Sequence, residues 1–349
     1  MKRNRKGRSN RKDQLIDFTL VTNPIGPSNQ ARHAMRKALR ASPMRPDPHA
    51  QFLAGHLCER LDITPARLLL GHGSSHLLSI FVQVTRPKSM LISSPFPAYY
   101  GELLERYGIE ILHAPLKKEH GFALDVEPFK QLWKDADAAL ILNPHDPTGK
   151  VVDKASLVEL IETSNRLGKP LIIDETLIEF TELSSPVEEV VSAGQVLILR
   201  SFSFYHALAG LRVGYAVGNA ALIEKMGNII DPWPVNSVAA AAALVSLRDK
   251  GFPGRTRQFL AAEQAYLAKK FAQLRGIECF SLPWGCLIRF EPVIANLAER
   301  LLEKSIVAET YVDGDGNQYI RFPFRSHRLN AWFARRLGWV LKEQRDAHQ

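Results

Sequence analysis

Short apolar runs alternate with amphipathic stretches over the first two thirds of the chain. The runs at 67–70, 90–93, 109–114, 138–142, 170–173, 196–200 and 213–217 are rich in Leu, Ile, Val and Ala, and each predicts a strand. The run at 138–142 holds no polar residue, as a strand buried on both faces requires. Between them, 31–41, 52–61, 76–84, 98–107 and 154–167 repeat apolar residues at helical spacing. This alternation predicts an α/β fold, a large domain on a mostly parallel sheet with helices on both faces. Ahead of it, 15–27 reads as an extended arm ending in the turn residues Asn23, Pro24, Gly26 and Pro27.

Past Trp233 the rhythm changes. Long helices are expected at 237–248 and 254–274, antiparallel strands at 277–290 and 319–324, and further helices at 293–303 and 330–343. That pattern describes a smaller α+β domain. The expected layout is a basic tail at 1–14, an arm and helix at 15–44 joining the small domain, a large domain at 45–235, and the small C-terminal domain at 236–349.

Composition narrows the class. With 46% hydrophobic residues, 349 residues can bury a substantial core. No apolar run reaches the length of a membrane-spanning helix. Cys58, Cys279 and Cys286 form no C-x-x-C pair, so neither a disulfide framework nor a metal site is expected, and a reducing cytoplasm suits them. The net charge is +9, and Lys2, Arg3, Arg5, Lys6, Arg8 and Arg11 crowd positive charge at the N-terminus. Such an arm binds nucleic acid or an acidic partner, or is a solvated tail. Without interleaved aromatic residues for base stacking, the solvated tail is the better reading.

Four stretches can carry chemistry. Gly71-His72-Gly73-Ser74-Ser75-His76 is a Gly-rich turn opening a helix, an arrangement that presents backbone N–H groups to a phosphate. Asn143-Pro144-His145-Asp146-Pro147-Thr148-Gly149 is a stiff turn after an apolar strand, where open α/β sheets bind ligands. Asp174 and Glu175 end the next strand; a carboxylate there faces the same crevice or caps a helix. Ser201-Phe202-Ser203-Phe204 follows another strand, and Arg212 lies close enough in sequence to complete a phosphate cup.

In this order the stretches resemble the fold-type-I pyridoxal-phosphate (PLP) aminotransferases, most of all the histidinol-phosphate aminotransferase and threonine-phosphate decarboxylase branch. The likeness extends to Ile16-Asp17-Phe18 and Asn23-Pro24-Ile25-Gly26-Pro27, to Pro232-Trp233-Pro234-Val235-Asn236, and to Tyr319-Ile320-Arg321-Phe322 followed by Asn330. It implies a PLP-transferase-like large domain holding pyridoxal 5'-phosphate or pyridoxamine phosphate. Ser74 and Ser75, through their amides, with Ser201, Ser203 and Arg212, would hold the phosphate. Tyr99 would stack on the ring, Asn143 would meet the ring oxygen, and Asp174 its nitrogen. Asn23 and Arg321 would face an amino-acid or amino-acid-phosphate substrate, with Arg321 taking its carboxylate. A homodimer is implied, in which the arm at 23–27 and the loop around Arg45 reach the neighbouring pocket.

Several positions depart from that pattern. The family lysine follows Ser-x-Ser/Thr and stands eight residues before the arginine; here that position is Phe204, with the spacing kept. The family's Asp-Glu-Ala-Tyr/Phe reads Asp174-Glu175-Thr176-Leu177, its partner-reaching tyrosine reads Arg45, and a late arginine reads Glu309. In the family the lysine forms the Schiff base and then moves the proton at the substrate carbon. Phenylalanine does neither, and losing a positioned acid–base group alone costs about 10²–10⁴ in rate. Any PLP would then be held noncovalently. Three readings stand: an inactive or repurposed binder of cofactor or ligand, a working aminotransferase or decarboxylase in which another group replaces the amine, and a scaffold that binds a partner through its basic arm.

Overall fold

The computed structural model describes residues 15–346, so the basic tail expected at 1–14 lies outside the described residues. In chain order the first eight strands are β1 (Ile16–Asp17), β2 (Leu68–Gly71), β3 (Ser89–Ser94), β4 (Glu110–Pro115), β5 (Ala138–Leu142), β6 (Leu171–Asp174), β7 (Val196–Ser201) and β8 (Gly214–Gly218). All but β1 form one seven-stranded sheet in the order β2-β8-β7-β6-β5-β3-β4. Every neighbouring pair is parallel except the two made by β8. This is the mostly parallel α/β sheet expected from the sequence.

The apolar runs feed two core layers because successive side chains on a strand point to opposite faces. Leu91, Ile141, Ile173 and Ile198 pack on one face with Trp133, Leu157 and Leu160. Ile92, Leu140, Ile172 and Leu197 pack on the other with Leu77, Phe81 and Leu104. Polar residues are thereby driven to the strand ends. Three helices not expected from the sequence complete the coat, Val126–Trp133, Val187–Ser192 and Ala220–Gly227. Their patterns are short, and the first contains Pro128.

The remaining strands are β9 (Ile277–Leu282), β10 (Gly285–Phe290), β11 (Ile306–Val307), β12 (Thr310–Val312) and β13 (Gln318–Pro323). The order β12-β13-β10-β9 makes a four-stranded antiparallel sheet. The single run expected at 277–290 is in fact a hairpin, in which Leu282 pairs with Gly285 across Pro283 and Trp284. The helix expected at 293–303 begins only at Leu297, because Asn296 takes a left-handed backbone. Helices Phe252–Phe271 and His327–Asp346 cover this sheet. The N-terminal arm joins the same layer: β1 pairs in parallel with β11, and Phe18 is fully buried against Phe322 and Phe333.

One buried ion pair locks the strand ends that matter for the site. Glu175, fully buried just past β6, accepts from Arg200 Nε of β7 at 2.9 Å and from Ser185 Oγ at 2.6 Å. Glu175 N also donates to Leu199 O at 2.9 Å. Removing one member of a buried pair strands the other charge. Arg200→Met is therefore expected to lower unfolding stability by about 3–5 kcal/mol, read from urea denaturation.

Candidate functional site

The carboxyl ends of β2, β6 and β7 open into a cleft of about 1380 Å³. The large domain supplies one wall. The arm at Thr19–Val21 and the small-domain residues Ala308, Glu309 and Arg321 supply the other.

The first structural unit is an anion cup. Gly73 has φ +81°, and a Cβ there would overlap the guanidinium of Arg212. Only glycine meets both conditions without strain. Helix Ser74–Thr85 starts at Gly73 with no side-chain cap, so its first-turn N–H groups and positive end face the cleft. Arg212, itself left-handed at φ 55°, donates from Nη2 to Ser75 Oγ at 3.0 Å and from Nη1 to Ala209 O at 3.3 Å. Ser203 Oγ is a longer 3.5 Å from Nη1. Ser74, Ser75, Ser203 and Arg212 all line the cleft. Ser201 does not: its hydroxyl turns inward and accepts from Ser203 N at 3.0 Å. This bond shapes the loop that carries Ser203.

The second unit is a buried carboxylate. Asp174, at the end of β6, is nearly inaccessible. Its Oδ2 accepts from Tyr100 Oη at 2.6 Å, and its Oδ1 accepts from Thr176 N at 2.9 Å and Thr176 Oγ1 at 2.6 Å. Burial raises the carboxyl pKa, and these bonds hold it down. Burial beside Asp174 also holds Tyr100 protonated, well above the ordinary phenol range. Tyr99 lines the cleft, with its ring centroid 4.0 Å from that of Tyr100. The sequence singled out Tyr99 and missed Tyr100 and Thr176. The only signal was their adjacency to residues already named.

Other expected residues are placed differently. Asn143 does not face the crevice. Its Oδ1 accepts from Val152 N at 2.9 Å and its Nδ2 donates to Val152 O at 3.4 Å, which closes the loop. Asn23 is a pin between elements, donating to Tyr205 O at 2.9 Å and Thr256 Oγ1 at 2.8 Å. Arg321 reaches the cleft, but its guanidinium is shared among Asp146 Oδ2, Glu309 Oε2 and Thr19 O. Arg45 packs over Trp233, 5.0 Å from the ring centroid. Phe204 lines the cleft and packs against the apolar cluster containing Val21 and Leu177. His206 sits behind it, nearly buried with Phe202, Tyr205 and Phe252; burial lowers its pKa to about 4. No lysine lines the cleft among the described residues.

A mostly parallel sheet, a second antiparallel domain, and an arginine-backed cup at a helix start define a two-domain transferase fold. The chain belongs to the aminotransferase class I and II family, whose model matches residues 31–313. It is 27% identical over 323 residues to threonine-phosphate decarboxylase of Salmonella typhimurium, covering 91% of this chain and 89% of that one. It is 27% identical over 334 residues to histidinol-phosphate aminotransferase of Methylobacillus flagellatus, covering 94% and 89%. Among solved structures, histidinol-phosphate aminotransferase of Clostridium acetobutylicum superposes with a TM-score of 0.83 at 24% identity, covering 94% of this chain and 100% of that one. The Sinorhizobium meliloti enzyme, solved in complex with pyridoxal-5'-phosphate, gives 0.84 at 17% identity, covering 95% and 92%. At these identities the structures speak for the fold.

Tyr100→Phe deletes the only side-chain donor to Asp174 Oδ2 among the described residues. A buried acceptor left without a partner costs about 1–3 kcal/mol. The variant is expected to lose that much unfolding stability in a denaturant titration.

Proposed function

We propose that this chain binds a phosphorylated pyridine, pyridoxal or pyridoxamine phosphate, reversibly in the cleft, and that lysine-dependent amino transfer and decarboxylation are absent from it. One observation carries the reading: a complete anion cup opens into a cleft that no lysine lines among the described residues.

The residues present fit such a group at its phosphate end. Gly73 leaves room beside Arg212, and the uncapped helix start, Ser75 Oγ and the guanidinium converge on one spot. Tyr99 offers an aromatic face in the same cleft. Asp174 is the acid that would meet a protonated ring nitrogen, and Tyr100 must yield its place on Oδ2 for that to happen. When bound, the ring supplies an electron sink for charge developing at the amine-bearing carbon. This chain's own groups do the rest. Arg212 and the first-turn amides hold the anion, and Phe204 walls the cleft with an apolar ring that neither condenses with a carbonyl nor moves a proton.

Calorimetric titration with both forms of the cofactor tests the reading. Both are expected to bind and to dialyse away. Arg212→Ala is expected to weaken binding about ten- to a hundredfold, the range for a hydrogen bond to a charged group. Borohydride is expected to fix a pyridoxyl group to the Phe204→Lys variant and not to the unmodified chain. If neither form binds at millimolar concentration, the reading fails.

We infer in addition a homodimer acting in a reducing compartment on small amine-bearing molecules. Leu39, Met44 and Phe52 are 59%, 68% and 81% exposed. Phe52 also lines an apolar hollow of about 240 Å³ with Leu53, Val235 and Ala240. Exposed apolar side chains and such a hollow suit a self-complementary contact. The thiols of Cys58, Cys279 and Cys286 are free. Light scattering at micromolar concentration should give twice the chain mass, and Phe52→Glu should shift it toward the monomer.

A further inference from the structure

Arg321 stands on β13 in the small-domain wall of the cleft, 4% exposed. One guanidinium there faces two carboxylates. Nη1 donates to Asp146 Oδ2, while Nη2 donates to Glu309 Oε2 and to Thr19 O. Glu309 is held in place from a second side, because its Oε1 accepts from Ala98 N at 3.0 Å. The group carries one positive and two negative formal charges, and all three residues line the cleft.

Two polar atoms of this cluster are buried without a partner, Asp146 Oδ1 and Arg321 Nε. Unpaired buried groups are costly, and a ligand that satisfies them gains what the free protein lacks. Asp146 Oδ1 needs a donor, and beside a second carboxylate a cationic donor is favoured. Arg321 Nε needs an acceptor. A carboxylate is a poor one here, because it would enter beside Asp146 and Glu309, and like charges at close range repel. A neutral hydroxyl or amide oxygen meets the need without that repulsion. Burial raises the Asp146 pKa, and Arg321 opposes only part of the rise. A cation at Oδ1 favours the ionised form.

We propose that this wall selects a primary amine bearing a neutral oxygen, an alcohol or an amide, where an α-amino acid bears its carboxylate. The ammonium pairs with Asp146 Oδ1, and the neutral oxygen accepts from Arg321 Nε. Leu20, Val21, Leu177, Phe204 and Ala308 line the adjoining cleft and suit an alkyl side chain. Asp146 and Glu309 are then the specificity-determining residues. The inference rests on the cleft being the ligand site argued above, and it names the class of amine that site takes.

L-Leucinol, L-leucinamide and L-leucine make the test, since they differ only in the group at issue. Calorimetry is run on the full chain, alone and saturated with pyridoxamine phosphate, whose amine does not condense with the probes. Leucinol and leucinamide are expected to bind at least about tenfold more tightly than leucine, the scale of one hydrogen bond to a charged group. The double variant Asp146→Asn with Glu309→Gln frees Arg321 and is expected to reverse the preference toward leucine. A merely structural role would weaken all three probes alike. The proposal is overturned if leucine binds the unmodified chain as tightly as leucinol, or if none of the probes binds at millimolar concentration. Pyridoxamine phosphate binding is scored separately, so failure of the cup and failure of the amine preference are distinguishable.

Discussion

The cleft depends on the approach of one guanidinium to one glycine. Arg212 occupies the space where any other residue at 73 would carry a Cβ. Both residues hold left-handed backbones, which glycine adopts freely and arginine does not. The contact draws the turn after β2 to the loop after β7, two segments far apart in sequence. It also gives helix Ser74–Thr85 a positive neighbour at its positive end, an unfavourable pairing in the absence of an anion. The arginine offsets part of that cost through Ser75 Oγ and Ala209 O. A cup built this way favours a negative ligand before any specific chemistry is considered.

Much of this was legible because it is local. The central strands β5, β6 and β7 are apolar runs, so their burial follows from composition alone. The cup is carried by two short motifs, 71–76 and 201–212, each read without knowing the fold. What was not legible depends on three-dimensional meeting points. The Asp146, Glu309 and Arg321 cluster joins a loop after β5, the link between β11 and β12, and β13. Asp146 reads in sequence as an ordinary turn residue. Tyr100 differs from Tyr99 only in which side of one helix turn it occupies, and that decides which ring reaches Asp174 and which the cleft. Asn143 was read as ligand-facing because its turn sits at the crevice, and Asn23 through the family resemblance. The Asn143 amide instead bonds the backbone of Val152, and Asn23 bonds Tyr205 O and Thr256 Oγ1. The helices Val187–Ser192 and Ala220–Gly227 are too short for periodicity to mark them.

Buried charge is managed by pairing throughout. Glu175 with Arg200 and Asp174 with Tyr100 and Thr176 sit side by side at the end of β6, one carboxylate answered by a cation and the other by neutral donors. The difference matters for their surroundings. Glu175 is fully enclosed and serves the scaffold. Among the described residues, Asp174 is held by the neutral donors Tyr100 and Thr176 alone. Arg321 is the intermediate case, its two terminal nitrogens bonded within its own chain and its Nε left without a partner at the cleft wall.

The N-terminal arm acts as a mechanical stop. Phe18 is anchored in the core of the small domain. Asn23, five residues on, is bonded to Tyr205 O, and its backbone N to Phe204 O, in the large domain. Five residues reach at most about 17 Å fully extended, so the gap between these anchors cannot exceed that whatever the small domain does. Rotation of the small domain away from the cleft is thus limited in amplitude by a short strap. The strap's own carbonyl at Thr19 accepts from Arg321, so the same strap also sets the arginine's place in the cleft wall.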